Sequence, residues 1–234
     1  MNNHKHPLIS CVCITDNRPL ILQRAIICFA KQDYPNTELI ISYPEEDPLS
    51  KTIIDQMTSV SAIKIIPIAR PQHEKLCITN NNAFESCSGD YICFWNDEHW
   101  HHINRLSDQY IVIKDSPFKA SILMHVLLFD FSKQETYYSA YQDWLETLLC
   151  EKKILLEASY MDIEREDDSP IIHFLSYKNF LYHITEAPHL YIYIGYGTKE
   201  VNKKRFNSYC QKGEIMEDIN QTVQDVIQLG YYLN

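Results

Sequence analysis

The first hundred residues alternate between short apolar runs and longer amphipathic stretches, separated by turn-forming residues. Residues 8–14 make a nearly continuous apolar run centred on Cys11 and Val12, which suits a strand buried on both faces of a parallel sheet. Thr15-Asp16-Asn17-Arg18-Pro19 then supplies a turn, with Pro19 suited to the first position of a helix. Leu20, Leu22, Ala25, Ile26 and Phe29 recur at helical spacing until Tyr34-Pro35-Asn36 stops the pattern, and residues 38–42 return to an extended apolar run. This is one βαβ unit. The same reading places a second helix over residues 50–59, a third strand over 62–68, a third helix over 74–87 and a fourth strand over 91–94. Alternation of this kind predicts an α/β fold, a mostly parallel sheet flanked by helices, with ligands expected at the carboxyl ends of the strands.

Beyond His102 the pattern loosens. Residues 103–113 read as helix, 122–131 as one extended apolar stretch, and 147–156 as a strand or a helix that closes one. Residues 167–177 read as helix and 190–194 as a late strand. Within 214–229, Ile215, Ile219, Val223, Val226 and Ile227 fall on roughly one face. That predicts an amphipathic helix packed on the domain or on a partner, a second copy of the chain being one option. The expected organisation is a single domain over residues 1–210 followed by this helix over 211–234.

Composition narrows the class. With 234 residues, 45% of them hydrophobic, the chain can bury one substantial core. A net charge of -10 argues against nucleic acid as a partner. The N-terminal segment holds neither a signal peptide nor a transmembrane stretch, so a cytoplasmic protein is expected. The eight cysteines are scattered without a Cys-x-x-Cys pair and fall mostly in apolar runs, which predicts buried, reduced thiols. With only five glycines, no phosphate loop of Walker or Rossmann type is present.

The order of the segments then adds to this reading. The run Ile9-Ser-Cys-Val-Cys-Ile-Thr-Asp-Asn-Arg-Pro19, then Arg24-Ala-Ile, Gln32-Asp-Tyr-Pro-Asn36 and Glu38-Leu-Ile-Ile41, is followed by Gly89-Asp-Tyr-Ile-Cys-Phe-Trp-Asn-Asp-Glu-His-Trp100, Arg105-Leu106 and Gln109. This succession resembles family 2 glycosyltransferases over most of residues 7–178. The resemblance implies a GT-A fold, the Rossmann-like architecture of nucleotide-diphospho-sugar transferases. It also implies a hexosyltransferase-like enzyme, metal-dependent and inverting, that moves a sugar from a nucleotide-sugar donor, UDP-linked by expectation, to a hydroxyl of a glycan or other acceptor.

On that resemblance, Asp97 and Glu98 would bind Mn2+ or Mg2+, with His99 as an added nitrogen donor. Thr15, Asp16, Arg18, Glu45 and Arg70 would line the nucleotide site. Glu166 and Asp167 match the acidic pair near the acceptor, with Asp167 as the general base. Each has a plain structural alternative: a solvated loop for Asp97 and Glu98, a helix cap for Asp167, a strand-to-helix turn for Thr15 and Arg18, and a surface arginine for Arg70. The cluster His99, His101 and His102 lacks the distant second pair of a zinc site. Trp95, Trp100, Tyr137, Tyr138 and Trp144 fit a core or interface role ahead of sugar stacking.

Some positions depart from the family. Tyr43-Pro44 stand where one or two aspartates usually hold the nucleoside, so Glu45, Glu46 or Asp47 would have to substitute from a shifted loop. Asn96 replaces an acidic residue, and Tyr196 falls near the place of a late histidine. These departures sustain a second reading: a catalytically silent domain of the same fold that binds a sugar, a nucleotide or another protein.

Overall fold

The computed structural model describes residues 6–159, 169–196 and 200–228. The βαβ alternation read from the sequence is present as β1 (Ile9–Ile14), α1 (Pro19–Ala30), β2 (Thr37–Pro44), α2 (Pro48–Val60), β3 (Ile65–Arg70), α3 (Leu76–Ser86) and β4 (Tyr91–Phe94). Then come β5 (Trp100–His101), α4 (Arg105–Ile111), β6 (Ala120–Leu123), β7 (Leu127–Asp130), β8 (Glu135–Tyr138), β9 (Leu149–Glu151), α5 (Lys152–Ser159) and α6 (Ser169–Tyr177). The chain continues through β10 (Leu181–Ile184), β11 (Tyr191–Gly195), α7 (Glu200–Lys212), β12 (Glu214–Ile215) and α8 (Asn220–Gln228).

Seven strands form one sheet in the order β10-β6-β9-β4-β1-β2-β3, in which β9 alone runs antiparallel to its neighbours. The mostly apolar strands β1, β2 and β4 are explained by cover on both faces. Cys11, Cys13, Leu39, Ile41 and Cys93 pack with α1 through Leu22, Ala25, Ile26 and Phe29. Their alternates Val12, Ile40 and Ile92 pack with Ala83 and Phe84 of α3 and Leu155 of α5. The period of two in a strand sends neighbouring residues to opposite faces, so a strand with helices on both sides has no solvent-facing side, and the polar residues it keeps must be paired inside.

A second sheet of five strands, in the order β12-β8-β7-β11-β5, carries the last two helices. Phe206 and Cys210 of α7 pack with Leu128, Tyr137 and Tyr191, while Val223 and Ile227 of α8 pack with Leu127, Phe129, Ile192 and Ile194. Three expectations are corrected here. Residues 122–131 are two strands, broken between Leu123 and Leu127 where the chain leaves the first sheet for the second. The third strand begins at Ile65, later than the apolar pattern suggested. Ile215 belongs to the short strand β12, paired with β8, and is exposed rather than part of the helical face. The helix α7 spans residue 210, and β12 beyond it is integral to the second sheet. All eight cysteines are free, and all but Cys77 are buried. No helix among the described residues is long and apolar enough to cross a membrane.

At the amino end of the first sheet lies a buried carboxylate. Ser10 and Glu38 are register partners on β1 and β2, and both are fully buried. Glu38 accepts from Ser10 Oγ at 2.6 Å, from the Ser88 amide at 2.6 Å and from Lys64 Nζ at 2.5 Å. Gly89 closes the arrangement by donating to Ser10 Oγ at 2.9 Å, and a Cβ there would stand 2.6 Å from the Leu8 carbonyl oxygen. Burial pushes the Glu38 carboxyl up, but Lys64, Ser10 and Ser88 outweigh it and hold the acid below its ordinary range.

A depressed folded pKa contributes stability that is complete above the unfolded value of about 4.3 and is lost as pH falls through the folded value. Glu38→Gln, which cannot accept from Lys64 with its amide nitrogen, is therefore expected to lower stability at pH 7 by about 1.5–3 kcal/mol. The deficit should shrink in urea melts at pH 3. A deficit of the same size at both pH values would contradict this account.

Candidate functional site

The strand order reverses at β1, with β2 and β3 on one side and β4 on the other. A crevice opens between the carboxyl ends of β1 and β4, the position at which open α/β sheets take ligands. In this protein it is a cleft of about 390 Å³ lined in part by Asp16, Arg18, Arg70, Phe94, Asn96 and Glu146.

Local chain geometry places these groups. Past β1, the Thr15 amide bonds to the Ser42 carbonyl at 3.0 Å, and Asn17 adopts the left-handed region at φ 54°, which turns the chain sharply. Arg18 is the N-cap residue of α1 and Pro19 follows at its first turn. Past β4, the Trp95 amide bonds to the Val12 carbonyl at 2.9 Å, and its indole donates to the Ala25 carbonyl at 3.1 Å. The Asn96 side chain accepts from the Glu98 amide at 2.9 Å and folds the loop back.

The two turns meet at Asp97, which has 0% exposure. Its carboxylate accepts from Thr15 Oγ1 at 2.6 Å and from Arg18 at 3.1 Å, and Arg18 also forms an ion pair with Glu98. Arg24, fully buried in α1, donates to the carbonyls of Asp97 at 3.3 Å and Glu98 at 2.7 Å, and also bonds to the Tyr196 hydroxyl. Burial raises the Asp97 pKa above its ordinary value, although Arg18, Thr15 and Arg24 pull against that rise. From β3, Arg70 donates to the Thr15 carbonyl at 2.7 Å, and the Glu45 amide donates to the Arg70 carbonyl at 2.8 Å.

The expected site residues thus divide. Thr15, Arg18, Asp97 and Glu98 form one bonded cluster, and Asp16 and Arg70 line the cleft beside it. Glu45 is exposed in the turn after β2 and does not line that cleft. Asp47 caps α2 by accepting from the Ser50 amide at 3.0 Å, and Tyr43 is buried. Glu166 and Asp167 lie outside the described residues. His99 faces the second sheet: its Nδ1 accepts from the Ile194 amide at 3.1 Å, and its ring lies 3.9 Å from that of Tyr193. Burial and the neighbouring arginines hold its pKa well below the ordinary value.

These residues do not fit a divalent metal as they stand. A neutral imidazole that accepts at Nδ1 carries its proton on Nε2, so His99 has no lone pair left to give. Both Asp97 oxygens are engaged, and Glu98 is paired with the same guanidinium. Among the described residues no group of three His, Cys, Asp or Glu side chains is placed to hold a metal ion.

Two contributors were missed in the sequence as site residues. Arg24 sits among Leu22, Ala25, Ile26 and Phe29, and a charged residue on the buried face of a helix is the signal that could have singled it out. Arg105, also fully buried, bonds to His101, to the Phe94 carbonyl at 2.9 Å and to Gln109 Oε1 at 3.1 Å, which fixes the end of β4 from the opposite side. Trp95 and Trp144 are core residues.

The family model for Glycosyl transferase family 2 matches residues 10–185. No curated protein matches the sequence. Among solved structures, the chain is similar to the mannosyltransferase PcManGT from Pyrobaculum calidifontis in complex with GDP-Man and Mn2+, with a TM-score of 0.64 and 9% identity over 96% of this chain and 70% of that one. It is similar to S. aureus TarS 1-349 in complex with UDP, with a TM-score of 0.59 and 12% identity over 80% of this chain and 60% of that one. A third similar structure is the 4-diphosphocytidyl-2C-methyl-D-erythritolsynthase from Anaerococcus prevotii DSM 20548, with a TM-score of 0.56 and 12% identity over 87% of this chain and 98% of that one. At these identities the likeness shows the fold. With the family match spanning most of its length, the chain belongs to glycosyl transferase family 2 and is a glycosyltransferase of the GT-A fold.

Proposed function

We propose that the cleft between β1 and β4 takes a nucleotide-sugar donor and that the enzyme transfers its sugar, with inversion, to an acceptor hydroxyl. The observation that carries this reading is the place of the cleft: it opens at the reversal of strand order and presents Arg18 from the start of α1 and Arg70 from the end of β3. Guanidinium groups suit diphosphate oxygens because their planar N–H forks match them in pairs. A smaller depression of about 50 Å³, lined in part by Glu98, Asp130, Ser132, Tyr196, Lys203 and Asn207, is the acceptor side in this reading. Arg18 lines the larger cleft and Glu98 the smaller, so their ion pair stands between donor and acceptor.

In the transfer, the acceptor oxygen attacks the anomeric carbon from the face opposite the nucleotide, and the bond from that carbon to the diphosphate oxygen breaks. The acceptor proton passes to a carboxylate, for which Asp167 is our assignment, with Glu166 beside it. The nucleoside diphosphate leaves with the bonding electrons, and cationic donors aimed at its oxygens stabilise that charge. No step is routed through a metal, because the described residues do not fit one.

A panel of uridine- and guanosine-linked sugars tests the proposal, read by release of nucleoside diphosphate in the presence of sugar acceptors. At least one donor should be turned over. Absence of turnover and of binding across the panel would contradict the reading and favour a domain that has lost the chemistry. With the active donor, Asp167→Asn should lower kcat by about 10²-fold or more while the donor KM changes little. Unchanged kcat would remove Asp167 from the mechanism. Arg70→Ala should raise the donor KM about tenfold, as expected for a lost charge-assisted hydrogen bond of roughly 1.5 kcal/mol. A thermal melt of the same variant separates this from unfolding, since Arg70 also holds the Thr15 carbonyl.

A further inference from the structure

We propose that the Arg18 guanidinium is the resident cation of this site: it stands between the Asp97 and Glu98 carboxylates in place of a divalent metal, so nucleoside diphosphate binding in the cleft requires no metal. The second half of that statement rests on the cleft being the donor site; the first half does not.

Four observations carry it. Arg18 touches both carboxylates at once, and the second oxygen of Asp97 is taken by the Thr15 hydroxyl. The arginine is held in place by its backbone, with Asn17 in the left-handed region before it and Pro19 at the first turn of α1 behind it. Charge already balances without a metal, because Arg18 and the buried Arg24, which binds the carbonyls of the same two residues, offset the two acids. Finally, Arg18 and Arg70 both line the cleft, so two guanidinium groups border the place where an anionic ligand such as a diphosphate would lie without a metal to carry its charge.

Binding of Mn2+ alone, followed by loss of the free-ion electron paramagnetic resonance signal, tests the first half without any donor. The wild-type chain should leave the ion free, whereas Arg18→Ala, which uncovers both carboxylates, should bind one Mn2+ at least about tenfold more tightly. Adding Asp97→Asn to that variant should abolish the gain. Arg18→Gln, closer in size, serves as the second variant if Arg18→Ala fails to fold. Stoichiometric Mn2+ binding by the wild type that Asp97→Asn removes would overturn the proposal, as would no gain in either Arg18 variant.

The second half is read by calorimetry of UDP and GDP with the wild-type chain in EDTA. Binding of the same affinity with EDTA and with Mn2+ is expected. Binding that appears only with Mn2+ would overturn the proposal. If neither nucleotide binds under any condition, the donor-site reading fails and the metal-free binding claim with it, while the Mn2+ titrations still decide whether Arg18 occupies the cation position.

Discussion

A carboxylate without access to water must be compensated from within, and Asp97 imposes that demand on its surroundings. Thr15 at the end of β1 supplies a hydroxyl, Arg18 at the start of α1 supplies a charge, and Arg24 one and a half turns further on binds the backbone on either side of the peptide that follows it. Removing water from the acid therefore fixes the strand-to-helix turn after β1 and the loop after β4 as one unit. The same unit reaches the second sheet, since Arg24 also bonds to Tyr196 at the end of β11 and His99 accepts from the Ile194 amide within it. The contacts that neutralise Asp97 are thus also contacts that join the two sheets.

Position in the fold explains why this constraint sits where a ligand would be taken. The seven-stranded sheet splits at β1, and the loops after β1 and β4 are those that border the crevice. A rigid cluster there presents Arg18 and Arg70 with little freedom, which lowers the cost of ordering them around an anion. Arg105 supports the same loop from α4 through the Phe94 carbonyl and His101. The polar residues thus form a layer beneath the cleft in which carboxylates and guanidinium groups offset one another.

Apart from the edge strand β3, which leaves Pro67 and Ala69 exposed, the first strands β1, β2 and β4 were legible because cover on both faces leaves them little polar alternation, the pattern of a parallel sheet between helices. The second sheet was not. Its strands run from two to five residues, too short to establish a period, and the step from β6 to β7 hides inside an apolar run that only His125 interrupts. At the site, the sequence brought Arg18 and Asp97 forward separately, but they stand 79 positions apart and nothing in either segment reveals that they pair. His99 was read as a ligand because imidazole is a common one, yet the orientation of its ring is set by β11, nearly a hundred residues away. Glu45 stands outside the cleft lining for a local reason: the buried Tyr43 and the α2 cap at Asp47 flank it in a turn that leaves it exposed.

The most direct measurement is a crystal structure of the chain grown with a nucleoside diphosphate and Mn2+, with anomalous data collected at the manganese edge. The account requires the diphosphate to lie in the cleft against Arg18 and Arg70, with no anomalous peak between Asp97 and Glu98. A nucleotide bound elsewhere, or a manganese ion held by Asp97 with Arg18 swung aside, would contradict it.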